Sequence, residues 1–237
     1  NALRNINFYG AERMVRINQL PQGLEDVSMV APHGVDLLLI PKCEEAWQVE
    51  EVEKVVKTTL SEAGSDRQVF LMPIIESALG VENAFQIATA SKQVVAMAIG
   101  LEDFTADLGV PRSEEGRESL YARTRIVNAC KAARIQPIDS VYSDVGNMDG
   151  LLENVKQSAA LGFEGMGCIH PGQIRVIHEG FMPSSEEVER AKQIIEAFEE
   201  AAKQGLGVVS LGSKMIDPPV VKRAEKIMLL AAKYNMI

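Results

Sequence analysis

Short apolar segments alternate with longer amphipathic segments along most of this chain of 237 residues. The apolar segments, rich in β-branched residues or leucine, occupy 13–18, 35–42, 68–75, 93–100, 135–142 and 163–169. Such alternation is typical of β–α units, whose strands form a parallel sheet covered by helices on its faces. The sequence therefore predicts six β–α units and an α/β fold.

The intervening segments have the spacing and the boundary residues of helices. We expect a helix over 44–64 ending at Gly64, one beginning near Ser113, and one ending at Gly162. Beyond the last strand, two further helices flank a short extended piece, and the final helix carries Pro219 in its first turn. These features predict a barrel-like domain over 1–182 and a C-terminal helical extension over 183–237.

Six strands do not by themselves close the commonest barrel of parallel strands. A TIM (β/α)₈ barrel has eight β–α units in about 250 residues. The chain is then either an open doubly wound sheet or an incomplete (β/α)₈ barrel whose first two β–α units are missing. Residues 1–12 look like the end of a helix and its exit loop, which favours the incomplete barrel.

Charge and composition exclude several functional classes. The net charge of −9 repels phosphates and argues against nucleic-acid binding, and no stretch reaches the roughly 18 apolar residues of a membrane span. The cysteines Cys43, Cys130 and Cys168 are far apart and form no C-x-x-C pair. They are interpreted as buried free thiols in a reducing, cytoplasmic compartment.

In parallel α/β folds the active site lies at the carboxyl ends of the strands. The residues predicted at these ends are Arg16, Asn18, Pro41, Lys42, Glu76, Glu102, Asp103, Ser143, Asp144 and His170. Glu76 and Asp103 follow consecutive strands, so their carboxylates are expected to lie side by side and to repel. A divalent metal relieves that repulsion, and oxygen ligands without nearby His or Cys favour Mg²⁺. The alternative is that each acid caps a helix or forms a salt bridge.

Three further residues have a functional and a structural interpretation. Arg16 is flanked by apolar residues, and a buried Arg needs a partner, either a substrate carboxylate or enolate or a structural acid. His170 is either a base or a hydrogen-bonded residue at the sheet edge. Asp217 precedes two prolines and has the position of an N-cap for the final helix.

Eight segments together resemble a known family. They are, in chain order, VRIN, VDLLLIPKCE, MPIIESALG, IGLEDFTADLG, RSEEGRESLYAR, IDSVYSDV, GFEGMGCIHPGQI and the tail GLGVVSLGSKMIDPPVVKRA. Their sequence and order are similar to those of the citrate lyase β-subunit family of CoA-ester lyases, which is related to the HpcH/HpaI aldolases. The resemblance extends through nearly all of the chain.

This resemblance implies a (β/α)₈ barrel, a bound Mg²⁺ and a set of site residues. Glu76 and Asp103 match the family's metal ligands, Glu76 lies beside the substrate, and Arg16 matches a residue that contacts it. Asp217 matches an acid that acts as catalytic acid/base in a neighbouring subunit. The resemblance also implies a homo-oligomer, a trimer or its multiple, and citrate lyase alpha and gamma subunits as partners.

The implied activity is carbon–carbon cleavage of a 3-hydroxyacyl thioester on CoA or an acyl carrier, with citryl thioester as the leading substrate. His170, Pro171 and Gly172 stand where the citrate lyase branch has Asn–Pro–Arg. That form is closer to malyl- and citramalyl-CoA lyases, which remain alternatives. A pyruvate-class aldolase and a non-catalytic scaffold that binds a partner also remain open.

Overall fold

The computed structural model describes residues 2–212 and 214–237. The strands are β1 (Met14–Arg16), β2 (Leu37–Ile40), β3 (Phe70–Ile75), β4 (Ala96–Ile99), β5 (Gln136–Asp139), β6 (Gly165–Met166), β7 (Val209–Leu211) and β8 (Lys214–Ile216). The α-helices are α1 (Ala2–Asn5), α2 (Gly23–Val30), α3 (Ala46–Glu62), α4 (Ala78–Glu82), α5 (Ala84–Ala88), α6 (Leu101–Leu108), α7 (Leu120–Ala133), α8 (Met148–Leu161), α9 (Gln173–Phe181), α10 (Ser185–Lys203) and α11 (Pro218–Lys233). Short 3₁₀ helices occupy Ala31–His33 and Arg117–Ser119.

Strands β1 to β6 form one parallel sheet in sequential order. Arg16 lies opposite Leu39, and Ile75 lies opposite Ile99, so neighbouring strands end close to the same level. The predicted α/β fold and its six strands are confirmed. Within the described residues β1 and β6 are the edges of this half-barrel, which accounts for six of the eight strands of the predicted barrel.

The two faces of the sheet have different surroundings. Leu38, Leu71 and Met97 are fully buried, and helices α3, α5 and α7 contact strands β3, β4 and β5. Side chains alternate along a strand, so the intervening residues point to the opposite face. There Leu37, Met72, Ile74, Ala96 and Ala98 form an apolar cluster with partly buried neighbours. This second face lines a cavity.

Helix α7 begins later than the sequence predicts. It starts at Leu120, after the 3₁₀ turn, and not near Ser113. The Ser113 hydroxyl donates to Glu118 Oε2 (2.6 Å) and accepts the Gly116 N–H (3.1 Å). Gly116 adopts a φ of +64°, which ends any helical path at that point. The serine and acids that look like a helix start therefore build a turn.

The chain divides into two compact units, Asn1–Ile174 and Arg175–Ile237, and the predicted boundary between 182 and 183 falls within the second. In the second unit α10 packs on α11, and β7 and β8 form an antiparallel hairpin. Helix α10 begins with a capping box in which Ser184 and Glu187 satisfy each other's backbone N–H groups. The predicted α10 and the predicted prolines in the first turn of α11 are thus confirmed.

The three cysteines differ in how far they are buried. Cys43 and Cys130 are buried and free, and burial raises the pKa of each thiol to about 12, which makes them unreactive. Cys168 is free but exposed, so the prediction of a buried thiol is wrong at this position. In the part of the chain that the structure describes, no helix is both long and apolar enough to cross a bilayer.

Candidate active site at the carboxyl edge of the sheet

Glu76 directly follows β3, at the carboxyl edge of the sheet. It is not a helix cap, because the Ser77 hydroxyl accepts the Gly80 N–H (3.2 Å) and caps α4 instead. Its carboxylate points to the neighbouring strand exit, where Oε2 accepts the backbone N–H of Lys42 (2.8 Å). Glu76 is therefore not the helix cap that its position after a strand suggests.

Asp103 lies in the first turn of α6, after the exit of β4. Its Oδ1 is 3.0 Å from the Lys42 Nζ. The preceding acid, Glu102, is occupied elsewhere by a salt bridge to Arg112 Nη1 (2.7 Å). Of the two acids in this turn, only Asp103 shares a partner with Glu76.

Lys42 joins the two carboxylates. Lys42 has a φ of +48°, which is uncommon for residues other than glycine. In this conformation its backbone N–H points to Glu76. Its ammonium group contacts Asp103, and the contact raises the pKa of Lys42 further above its ordinary value. Glu76 and Asp103 thus both bond to Lys42, Glu76 through the backbone N–H and Asp103 through the ammonium group.

Burial is the largest influence on the ionisation of Glu76, and it raises the pKa of this carboxyl group. The charge of Asp103 acts in the same direction. The Lys42 backbone hydrogen bond and the charges of Arg16 and Lys42 oppose the rise without cancelling it. A divalent cation between the two acids would favour the charged form of Glu76.

The donor set fits Mg²⁺. Two carboxylates on adjacent strand exits provide hard oxygen ligands, and Mg²⁺ is usually held by one or two carboxylates with water and substrate in its other positions. Among the residues described, no group of three or more His, Cys, Asp or Glu is arranged to hold a metal. If these two carboxylates bind the ion, water and substrate would fill its other positions.

Arg16 ends β1 and lies beside the same cavity. It is exposed, not buried as its apolar flanks suggest, and its side chain has no ion pair with the residues that the structure describes. The cavity, of about 1140 Å³, is lined by Arg16, Glu76, Asp103 and the apolar second face of the sheet. Cavities of this size accommodate small-molecule ligands.

Ser143, Asp144 and His170, which were also predicted at strand ends, are not among the residues that line this cavity. Strand β5 ends at Asp139, so Ser143 and Asp144 are not at its carboxyl end as predicted. Asp144 lies in the following loop and accepts the Gly146 N–H (3.1 Å). His170 is exposed, and its Nδ1 accepts the Gly172 N–H (3.1 Å). The strand end was misplaced because the apolar run continues beyond the last ladder residue.

Asp217 belongs to the second unit. It is the N-cap of α11, where its Oδ1 accepts the Val220 N–H (3.2 Å). The structural role predicted from the two prolines is therefore present, and the catalytic role in a neighbouring subunit stays a prediction.

Sequence reasoning missed the connecting role of Lys42 and the function of Gly100. Lys42 is predicted at a strand end, but the presence of a lysine does not indicate that the backbone φ there is positive. A Cβ atom on Gly100 would lie 2.6 Å from Glu76 Oε1, so the glycine makes room for the carboxylate. The GLED sequence that contains Gly100 is the only signal that could have pointed to it.

Residues 1–171 match the family model described as HpcH/HpaI aldolase/citrate lyase. The chain is 42% identical over 242 residues to citrate lyase subunit beta of Haemophilus influenzae, covering all of this chain and 82% of that protein. It is 33% identical over 245 residues to mitochondrial citramalyl-CoA lyase of Homo sapiens, covering 98% and 72% respectively.

A solved structure is similar in fold and sequence. It is protein CitE of Mycobacterium tuberculosis in complex with magnesium, acetoacetate and coenzyme A. The TM-score is 0.75 at 29% identity, over 92% of this chain and 78% of that chain.

Proposed function

This chain belongs to the HpcH/HpaI aldolase/citrate lyase family, and from that premise we propose that it is a Mg²⁺-dependent lyase of 3-hydroxyacyl thioesters. The proposed reaction cleaves citryl-CoA, or citryl on a carrier protein, to oxaloacetate and acetyl thioester. The observation that carries the proposal is that Glu76 and Asp103 both bond to Lys42, one to its backbone N–H and one to its ammonium group, and line the same ligand-sized cavity.

Glu76 and Asp103 would hold the metal through their carboxylate oxygens. When bound, Mg²⁺ supplies Lewis-acid polarisation of the substrate's hydroxyl oxygen and orients the carboxylate beside it. Glu76 also lines the cavity, where it would lie beside the substrate. The chain's own contribution is to hold these two charges close together with a fixed direction, set by the Lys42 turn and by α6.

The reaction involves two proton transfers and the movement of one electron pair. A base takes the proton of the substrate hydroxyl, the hydroxyl carbon becomes the ketone of oxaloacetate, and the electrons of the broken bond pass to the thioester fragment as an enolate. Arg16 binds substrate and donates hydrogen bonds to the developing enolate oxygen. Asp217 of a neighbouring subunit gives a proton to the enolate carbon and so forms the acetyl thioester.

A tail residue acting in trans requires a symmetric assembly, so we propose a homo-oligomer, a trimer or its multiple. Citrate lyase alpha and gamma subunits are proposed as further partners, supported by the similarity to citrate lyase subunit beta. Free cysteines support a cytoplasmic location. Sedimentation velocity of the purified chain, alone and mixed with the two other subunits, tests the assembly.

We also propose that the six-stranded sheet is part of a (β/α)₈ barrel with two further β–α units outside residues 1–237. The sequential parallel order and the two open edge strands support this fold. An experimental structure of the protein as expressed by its own gene tests it, and a sheet of six strands in that structure would contradict it.

Paired variants of the two carboxylates test the function. Glu76→Gln and Asp103→Asn are expected to lower kcat/KM for citryl-CoA by at least about 100-fold and to abolish Mg²⁺ binding in calorimetry. The control is Glu102→Gln, which removes a carboxylate from the same helical turn but one that is paired with Arg112. Wild-type turnover in both site variants would refute the site. Absence of Mg²⁺ binding by the unaltered protein would favour the non-catalytic scaffold.

A second candidate is a malyl- or citramalyl-CoA lyase. It is favoured by the His170–Pro171–Gly172 sequence and by the identity to human citramalyl-CoA lyase. A substrate panel separates the candidates: the preferred substrate is the thioester with the highest kcat/KM among citryl-, malyl- and citramalyl-CoA. Cleavage of 2-keto-3-deoxy acids without thioester cleavage would instead identify a pyruvate-class aldolase.

A further inference from the structure

Helix α6, which carries Asp103, begins without a capping side chain of its own. Its N-cap residue is Gly100, in an extended conformation (φ −110°, ψ 100°) that any residue type can adopt. Helix starts usually have Ser, Thr, Asp or Asn here, because a side-chain oxygen satisfies a free backbone N–H. A side chain at Gly100 would displace Glu76, because its Cβ would lie 2.6 Å from Glu76 Oε1 and 2.7 Å from Glu76 Cγ.

A side-chain oxygen from the next strand exit instead satisfies the N–H of the first helical residue. Ser140 follows β5, which pairs with β4, and its Oγ accepts the backbone N–H of Leu101 (3.0 Å). Both residues are buried, with exposures of 4% for Ser140 and 5% for Leu101. The bond is shielded from water, so loss of the acceptor leaves a buried donor unsatisfied.

Ser140 is itself held in place by a buried charge network. Its backbone N–H donates to Asp139 Oδ1 (2.8 Å). Asp139 forms an ion pair with Arg123 of α7 and accepts the hydroxyl of Ser158 from α8. The side-chain exposures of Arg123 and Asp139 are 7% and 1%. Three elements therefore fix the backbone from which the Ser140 hydroxyl projects.

We propose that Ser140 is a positioning residue for the Mg²⁺ site, which acts through Leu101 to fix the first turn of α6. Asp103 lies in that turn, so the Ser140 hydroxyl sets the direction in which the Asp103 carboxylate faces Glu76. The inference rests on the proposed function, because it concerns how a proposed metal ligand is held.

Calorimetric titration of substrate-free protein with MgCl₂ tests the positioning role of Ser140. Ser140→Ala is expected to weaken Mg²⁺ binding about fivefold, the equilibrium equivalent of one lost N-cap. Amide exchange at Leu101 should accelerate, and kcat should fall more than KM rises. The matched control is Ser184→Ala, which removes the serine cap of α10 and is expected to lower thermal stability with no change in Mg²⁺ affinity.

Two conservative variants separate positioning from general stability. Ser140→Thr keeps the hydroxyl and is expected to bind Mg²⁺ within about twofold of wild type. Ser140→Cys is nearly isosteric but has a weak acceptor, so its affinity should lie between those of wild type and Ser140→Ala. If Ser140→Ala does not fold, the Cys variant decides, and wild-type affinity in it overturns the inference.

The outcomes distinguish the inference from the function on which it rests. Mg²⁺ binding by wild type with unchanged affinity in Ser140→Ala overturns the positioning role alone. Absence of Mg²⁺ binding by wild type overturns both. Weakened binding in Ser140→Ala, retained binding in Ser140→Thr and unchanged binding in Ser184→Ala support both.

Discussion

Gly100 has no Cβ atom, and a Cβ at this position would clash with the Glu76 carboxylate. The backbone there suits alanine, so only the contact with Glu76 opposes Gly100→Ala. We expect the Glu76 side chain to move aside, since its far end is flexible. Mg²⁺ affinity should then fall at least about tenfold, while stability falls by only about 1 kcal/mol.

Calorimetry and urea unfolding measure these two effects. Gly207→Ala is the control, because a Cβ there meets nothing within 4 Å and its φ is not positive. An unaltered dissociation constant for Mg²⁺ in Gly100→Ala would contradict the role assigned to this contact.

Asp36 offers a test of pH dependence away from the site. It accepts three hydrogen bonds from Arg13, at 2.8, 2.9 and 3.0 Å, and these lower the pKa of its carboxyl group from an ordinary 3.8. A lowered pKa means that the unfolded state binds more protons. The stability contribution is therefore present above about pH 4 and is lost as pH falls through the lower value in the folded protein.

We expect Asp36→Asn to lower the Tm by about 2 °C at pH 7 and to differ less from wild type below pH 4. Thermal scans from pH 2.5 to 7 measure this, with Asp66→Asn as a control for the loss of a carboxylate. A difference between Asp36→Asn and wild type that grows toward low pH would contradict the sign.

Sequence position alone predicted that Glu76 and Asp103 lie at one sheet edge, because the ends of consecutive parallel strands meet there, but it left a metal site and a salt bridge as alternatives, and Asp103 does pair with Lys42. It could not identify Gly100, Lys42 or Ser140 as parts of the same arrangement. The positive φ at Lys42 and the hydrogen bond between Leu101 and Ser140 depend on tertiary contacts. The residue types at these positions do not reveal such contacts.

Among the elements, α7, β5 and α8 are joined by the buried Arg123–Asp139–Ser158 cluster. Removing one partner leaves a buried charge unpaired, so Asp139→Ala is expected to lower the free energy of unfolding by about 3–5 kcal/mol. Replacing both partners with apolar residues, as in Arg123→Met with Asp139→Leu, should recover part of that loss.

Urea unfolding of the single and double variants measures the loss and the recovery. Ser119→Ala, another buried serine but outside this cluster, is the control for substitution of a buried polar group. A loss below about 1 kcal/mol in Asp139→Ala would show that the cluster is not a stabilising connection between these elements.

The six strands were predictable because parallel strands covered by helices are continuous apolar runs. Element boundaries were less so. The predicted start of α7 is too early because Ser113 and the acids after it resemble a capping sequence. The positive φ of Gly116 shows that these residues form a turn. The end of β5 was placed too late because apolar character continues past Asp139.

For the whole molecule, the proposed action of Asp217 in a neighbouring subunit predicts complementation between two inactive variants. Asp217→Asn keeps an oxygen that caps α11 but loses the acid, and Glu76→Gln keeps the tail but loses the site. In hybrids formed from equal amounts, about a quarter of sites combine an intact Glu76 with a neighbour's intact Asp217.

We expect each variant alone to be nearly inactive and the refolded mixture to recover about a quarter of wild-type activity. Mixing without subunit exchange is the control and should recover none. Activity of the mixture equal to the mean of its two components would place Asp217 outside the neighbouring site.

The absence of a side chain at position 100 also bears on how this sequence can diverge. The Glu76 carboxylate opposes a side chain at position 100, and the Ser140 hydroxyl is the side-chain acceptor at the start of α6. We therefore expect the three positions to vary together. A lineage that no longer needed the carboxylate would be free to gain serine or aspartate at 100 and then to lose the hydroxyl at 140. The residues at 76, 100 and 140, taken together, should therefore distinguish descendants that keep the reaction from those that have kept only the fold.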